Sequence, residues 1–217
     1  MPLASTPDSP LRPIRLHSHP LSGHVHRVEL FLSLLGLPFE KVHVDLACAE
    51  QKGPAFLALN PFGQLPVIED GELVIADSNA ILVYLATTYD AGTRWLPRDA
   101  LGAARVQRWL SVAAGPLAYG PAVARVAVVF GRPVEQAPRD ASAQLFGLIE
   151  GQLATQEFIA APHPTIADLA LYAYTAHAPE GGVSLARYPR LRGWLARIEA
   201  LPRFVGLVRS PVPEATA

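Results

Sequence analysis

Cysteine is almost absent: Cys48 is the one thiol in 217 residues, so no intramolecular disulfide can form. That fits a reducing compartment. Net charge is also nearly absent, at −1, so no global basic field draws nucleic acid or anionic lipid. The first dozen residues, MPLASTPDSPLR, lack the charged start and apolar stretch of a signal peptide; small, polar and proline-rich, they read as a disordered leader. No apolar run is expected to approach the roughly 20 residues of a membrane span. Together these absences predict a soluble, cytoplasmic protein with neither nucleic acid nor membrane as partner.

What is present is a large apolar fraction, 50% of residues, enough for a real core in one or two domains. Ile14–Ser18 reads as a strand. Val25, Val28, Leu32 and Leu35 fall at helical spacing, stopped by Gly36 and Pro38. FEKVHVDL reads as a second strand, making a βαβ unit with parallel strands. A short helix is expected over Gln51–Leu59. Apolar runs Leu65–Glu69 and Glu72–Ala76 flank Asp70-Gly71, a hairpin signal. A helix from Asp77 to Tyr89 closes a small α/β domain with a mixed sheet. After the turn-rich DAGTRWLPR only helical patterns follow, with stripes Leu145, Leu148, Ile149, Leu153 and Leu191, Trp194, Leu195, Ile198. Thr165 and Asp168 fit a capping box.

The stretch HSHPLSGHVHRVEL, residues 17 to 30, concentrates the chemistry: it holds four of the seven histidines, and Ser18 and Ser22. A zinc site wants convergent ligands with a second shell. Here His17 and His19 lie two apart near a strand end, and His24 and His26 lie two apart at a helix start and so face different sides of that helix, with no pair at i and i+4 on one helical face and no cysteine or acidic cluster nearby. Metal is disfavoured, and the histidines read as partly exposed residues of a loop and a first helical turn. A hydrolase elbow needs G-x-S-x-G, which LSG is not. The third possibility is topological. A loop between a first strand and a helix is where open α/β sheets bind small ligands. Ser22 there would be a cap or a partner of a negatively charged ligand atom, and a plain cap is the blander alternative. Pro66 opens a strand, where a cis bond would leave the Leu65 main chain open to a peptide-like ligand. Asp77-Ser78 starts a helix, either as an ordinary N-cap or as a carboxylate site.

These segments carry a resemblance. In order, and spanning nearly the whole chain, HPLSGHVHRV, LNPFGQLPVIEDGELVIADSNAILVYL, TIADLALYAY and GGVSLARYPRLRGWLARIEALP resemble the soluble glutathione S-transferase family, in its bacterial type with serine at the thiol-activating position. The resemblance implies an α/β thioredoxin-like N-terminal domain with a mixed four-stranded sheet, plus an all-α C-terminal helical domain. The boundaries expected are a leader over 1–12, the thioredoxin-like domain over 13–89, a linker over 90–98, the helical domain over 99–210 and a tail over 211–217.

It also implies roles. Ser22 matches the catalytic serine whose hydroxyl hydrogen-bonds the glutathione sulfur, with Ser18 a competing hydroxyl placed slightly early. The Leu65 main chain, before the family's cis-proline position at Pro66, would pair with the cysteinyl part. Asp77 and Ser78 match the pair holding the γ-glutamyl end, Ser78 and its N–H taking the carboxylate. Gln64 and Lys52 sit where side chains reach the tripeptide, Lys52 towards the glycyl carboxylate. His24 stands where many relatives have an asparagine that supports the turn. On the second domain's first long helix, Arg105, Arg108, Trp109 and Tyr119 are candidates for the electrophile pocket, or else packing or a dimer face. No cysteine lies in residues 17–30, which disfavours a protein–glutathione mixed disulfide, and Cys48 reads as an inert turn residue. The expected activity is a glutathione transferase, with glutathione as co-substrate, no metal, a small electrophile or peroxide as second substrate, and a homodimer. The alternatives are a glutathione-dependent isomerase or disulfide reductase, or a non-catalytic binding protein.

Overall fold

A computed structural model describes residues 12–133 and 135–212. The expected leader, apart from Arg12, and residues 213–217 of the expected tail lie outside the described residues. The chain divides into two compact units: residues 12–96 with Pro202–Leu207, and Pro97–Leu201 with 208–212.

In the first unit, β1 (Ile14–Ser18), α1 (Gly23–Leu35) and β2 (Phe39–His43) form the βαβ unit, with β1 and β2 parallel. Gly36 ends α1 at φ 69, its N–H on the Ser33 carbonyl and the Leu37 N–H on that of Leu32, the pairing of a Schellman cap. Val25, Val28 and Leu32 are buried as the spacing predicts, whereas Leu35 is only half-buried. The helix also buries Leu30 and Phe31, because the sheet and a second helix cover it on two sides. The helix expected over Gln51–Leu59 is split into a 3-10 turn (Glu50–Lys52) and α2 (Pro54–Leu59). Pro54 has no N–H to continue a helix but suits its first position.

β3 (Val67–Asp70) runs antiparallel to β1, and β4 (Leu73–Ala76) antiparallel to β3, giving sheet order β2-β1-β3-β4. The hairpin loop is Gly71-Glu72, one residue later than Asp70-Gly71. Asp70 stays in the strand, where its carboxylate accepts from Tyr84 and Tyr89, while Gly71 takes φ 60 as first loop residue, the pattern of a type II′ turn. α3 (Ser78–Tyr89) completes the unit. Alternation across the strands divides the sheet's faces. Ile14, Leu16 and Ile68 are fully buried towards one side; His17 and Val67 face Phe56 of α2 on the other.

In the second unit all described regular structure is helical: α4 (Ala100–Ala114), a π-helical turn (Ala118–Ala122), α5 (Val123–Val129), α6 (Gln136–Gln152), α7 (Ile166–Ala176), a 3-10 turn (Ala178–Gly181) and α8 (Pro189–Glu199). The stripe on α8 is buried throughout. The stripe on α6 is corrected at one position: Leu148 is 65% exposed, and Phe146 takes its place beside Leu145 and Ile149, in contact with Tyr188. The expectation that no apolar run nears the length of a membrane span fails as well. Ala100–Val129 form a helical stretch of 30 residues, of which an 18-residue window has mean hydropathy 1.4. It runs through α4, the π-helical turn and α5 and is partly buried in this unit: α4 packs on α7, and within the stretch Arg125 is buried and ion-paired with Glu180 at 2.7 Å.

The capping box forms and extends beyond its helix. The fully buried Asp168 carboxylate accepts from the Thr165 N–H and hydroxyl, the Ile159 N–H and the Trp194 indole. It thereby ties α7, the preceding loop and α8 together. Asp168→Ala would leave these buried donors without an acceptor, so we expect a loss of about 3 kcal/mol or more, read as a lowered urea midpoint.

Candidate functional site

The site is a cavity of about 520 Å³ in the first unit, where the loop after α2, the hairpin and the start of α3 meet. Gln64, Leu65, Pro66, Asp77 and Ser78 all line it, as does His24 from the first turn of α1. The Leu65-Pro66 peptide bond is cis. Residues separated by up to 54 positions in sequence thus converge on one concave surface.

The corner at Asp77 sets one wall. Asp77 sits at φ 74, a conformation that costs a non-glycine residue on the order of 1–3 kcal/mol. Its Oδ1 accepts from the Asn79 and Ala80 N–H groups, both at 2.9 Å. The cap therefore takes two first-turn donors and leaves the Ser78 N–H as the first-turn donor it does not use. With the helix dipole, this end of α3 favours a negative charge.

The opposite wall is organised by Asn60, which sequence reasoning passed over. Asn60 is buried; its Nδ2 donates to the Gln64 carbonyl at 2.8 Å and its Oδ1 accepts from the Phe62 N–H. Its signal was the Asn-Pro dipeptide, which marks a turn but not its orientation. Lys52 does not line the cavity. Its ammonium donates to the Phe62 and Gly63 carbonyls at 3.1 and 3.0 Å, clamping this loop from behind. Gly63, at φ 58, must lack a side chain there: a Cβ would fall 2.7 Å from the Gln51 carbonyl oxygen.

Ser22 is half-buried and caps α1, its Oγ accepting from the Val25 N–H at 3.3 Å. It is not among the cavity's lining residues but stands two positions before His24, which is. Since its oxygen accepts from the backbone, its hydroxyl hydrogen is available to another acceptor. Ser18 is buried and lies 3.5 Å from the Val42 carbonyl, within the sheet.

Each histidine of the stretch has its own partner. His17 meets Glu69 at 2.6 Å, the His19 Nδ1 accepts from the Leu21 N–H, and His26 meets the Val205 carbonyl at 2.8 Å. His17 and His26 are buried, not partly exposed, because Phe56 of α2 packs on the first and residues 202–207 cover the second. Among the described residues no cluster of three His, Cys, Asp or Glu converges as a metal would require.

The His24 Nδ1 lies 3.5 Å from the Ser78 Oγ. Burial, and then the Arg27 guanidinium, push its pKa down to about 3. A histidine beside a cation is poorly suited to accept a proton as a general base, which argues against a serine-hydrolase reading. Arg27, 1% exposed, donates through Nη1 to the Ser78 Oγ at 3.0 Å and lies 3.5 Å from the Asn79 Oδ1. Nothing in the sequence marked Arg27, since an arginine on a helix ordinarily reads as solvated.

In the second unit, Arg105, Arg108 and Trp109 line a separate cavity of about 370 Å³ with Gln152, Gln156 and Ile159. The Arg108 guanidinium lies 5.5 Å from the Trp109 ring centre. Tyr119 is 74% exposed in the π-helical turn and does not line that cavity. Cys48 is exposed, and Asp45, through a hydrogen bond and its charge, pushes its thiol pKa up, away from thiolate character.

Comparison with known proteins gives concordant results. Residues 12–87 match the family model "Glutathione S-transferase, N-terminal domain", and residues 118–202 match "Glutathione S-transferase, C-terminal domain". The chain is 36% identical to glutathione S-transferase 3 of Zea mays, covering 94% of this chain and 97% of that protein. Among solved structures, a possible glutathione S-transferase from Rhodopseudomonas palustris is 33% identical with TM-score 0.81, covering 91% of this chain and 99% of that one. A Drosophila mojavensis glutathione transferase homologue, solved with bound glutathione, is 30% identical with TM-score 0.80, covering 88% and 89%.

The depressed His24 pKa has a stability consequence. In the fold the ring stays neutral down to about pH 3, whereas unfolded it protonates below about 6.5. The unfolded state therefore binds more protons in that window, and the contribution present above pH 6.5 is lost as pH falls through it. We expect His24→Asn to flatten the acid-side decline of stability between pH 6.5 and 4, measured by urea unfolding at a series of pH values.

Proposed function

The chain belongs to the glutathione S-transferase family, an enzyme family, and from that premise we propose that it binds glutathione in the cavity of the first unit and activates its thiol for transfer. The observation that carries the proposal is the convergence of Gln64, Leu65, Pro66, Asp77 and Ser78 on that one cavity. The γ-glutamyl carboxylate is taken by the Ser78 N–H and hydroxyl at the positive end of α3, and the γ-glutamyl amine by Asp77. The cysteinyl main chain pairs with Leu65. Gln64 reaches the tripeptide from the loop. Lys52, bonded to the loop carbonyls, shapes this wall and brings a positive charge near the glycyl end.

Ser22 supplies the hydroxyl that donates to the sulfur. The gain from such a bond is bounded. A thiol of pKa about 8.5 is roughly 3% thiolate at pH 7, and a drop of about 2 units raises that fraction about twenty-fold. Lower intrinsic nucleophilicity, with a Brønsted slope near 0.4–0.5, takes back roughly eight-fold. The net is about three-fold, so most of the acceleration comes from holding the thiolate against an electrophile. For the electrophile or peroxide, the second unit offers Arg105, Arg108 and Trp109 around one cavity, with the exposed Tyr119 outside it. The protein acts as a soluble, cytoplasmic homodimer in detoxification chemistry. The absence of cysteine from residues 17–30, and the raised thiol pKa of Cys48, favour chemistry on glutathione itself over a protein mixed disulfide.

Calorimetry is expected to show saturable glutathione binding, and a panel of electrophiles and peroxides is expected to include a substrate. Binding with no turnover on any of them contradicts the enzymatic proposal. Ser22→Ala is expected to raise the apparent pKa of the bound thiol, followed by thiolate absorbance, and to cost about 1 kcal/mol of stability through the lost helix cap. An unchanged thiol pKa removes Ser22 from the role. Light scattering is expected to give the mass of a dimer at micromolar protein.

A further inference from the structure

We propose that Arg27, buried beneath the cavity floor, is a positioning residue for glutathione binding: its hydrogen bond to the Ser78 Oγ aims the Ser78 hydroxyl at the ligand's γ-glutamyl carboxylate. The inference rests on the reading of Ser78 as the carboxylate-binding residue and adds a residue that never reaches the ligand.

The argument is one of donors and acceptors. A guanidinium only donates, so the 3.0 Å contact from Arg27 Nη1 makes the Ser78 oxygen an acceptor. A hydroxyl has one hydrogen, and this contact turns it away from Arg27. The directions left are towards His24 Nδ1, at 3.5 Å, or into the cavity that both residues line. His24 stays neutral at physiological pH, so its ring can present an acceptor nitrogen while the cavity is empty. At 3.5 Å that bond is weak, and a carboxylate can replace it at little cost.

The arrangement also concentrates positive potential. Arg27 and His24 are three residues apart on α1 and so share a face. That face packs against the start of α3, which places the buried cation behind the same helix end that offers the Ser78 N–H. A charge shielded from water acts more strongly on its neighbours, and a hydroxyl that accepts from a cation is a better donor in turn. Arg27 thus acts through Ser78 on affinity, with no part in the chemistry at sulfur.

The test is a double-mutant cycle on the full-length protein, with glutathione affinity read by calorimetry and KM and kcat read with one electrophile. Ser78→Ala and Arg27→Gln are each expected to weaken glutathione binding about ten-fold, raising KM while kcat at saturating glutathione holds. The double variant is expected to lose little more than either single one, because the two act as a unit. Losses that multiply in the double variant, or an Arg27→Gln variant that binds normally, overturn the proposal. A Ser78→Ala variant that binds normally overturns the hydroxyl's part in the carboxylate reading beneath it, and so identifies which of the two has failed. Should Arg27→Gln not fold, the same cycle with Arg27→Lys decides by the same criterion: coupled losses support the role and multiplying losses reject it.

Discussion

The way α3 begins is the constraint on which the cavity depends. Asp77 stands at positive φ between β4 and α3, and its carboxylate closes the helix end by accepting from Asn79 and Ala80. This turn brings Ser78 to the cavity wall with one N–H outside the cap. It also stacks the first turn of α3 on α1, so that Arg27 and His24 both meet the Ser78 hydroxyl. Strain at one residue is repaid by two capping bonds, a buried arginine contact and helix packing. The price of the corner is therefore spread over structure that would exist in any case.

The rest of the first unit holds the other walls against that corner. The parallel βαβ unit fixes where α1 starts, and with it Ser22 and His24. The β3–β4 hairpin, pinned by Asp70 under two tyrosines, fixes where β4 ends and Asp77 begins. Asn60 and Lys52 tie down the loop that carries Gln64 and Leu65. Each of these supports sets the position of a residue at or beside the cavity.

Much of this was legible in the sequence where local rules govern. β1 falls on Ile14–Ser18, α1 stops at Gly36, and the capping box of α7 forms between Thr165 and Asp168, because caps and periodicity are short-range signals. What escaped depends on tertiary neighbours. The hairpin loop moved by one residue because two tyrosines on α3 hold Asp70 in its strand. Leu148 faces outward and Phe146 inward because Tyr188 lies across from Phe146. Arg27 and Asn60 were unmarked, since a polar side chain shows no periodicity and only the fold reveals that it is buried. The same limit explains the four histidines: their crowding in sequence suggested common purpose, while the fold gives each a different partner.

The central claim, that the corner at Ser78 and the Leu65 strand entrance form one binding surface for glutathione, is tested most directly by titrating glutathione into isotopically labelled protein and following backbone amide resonances. The account predicts saturable shifts at the Leu65 and Ser78 amides with one common dissociation constant, and a larger response at Ser22 than at the sheet's far edge in β2. Shifts absent from Leu65 and Ser78, or confined to the helical unit, would contradict it.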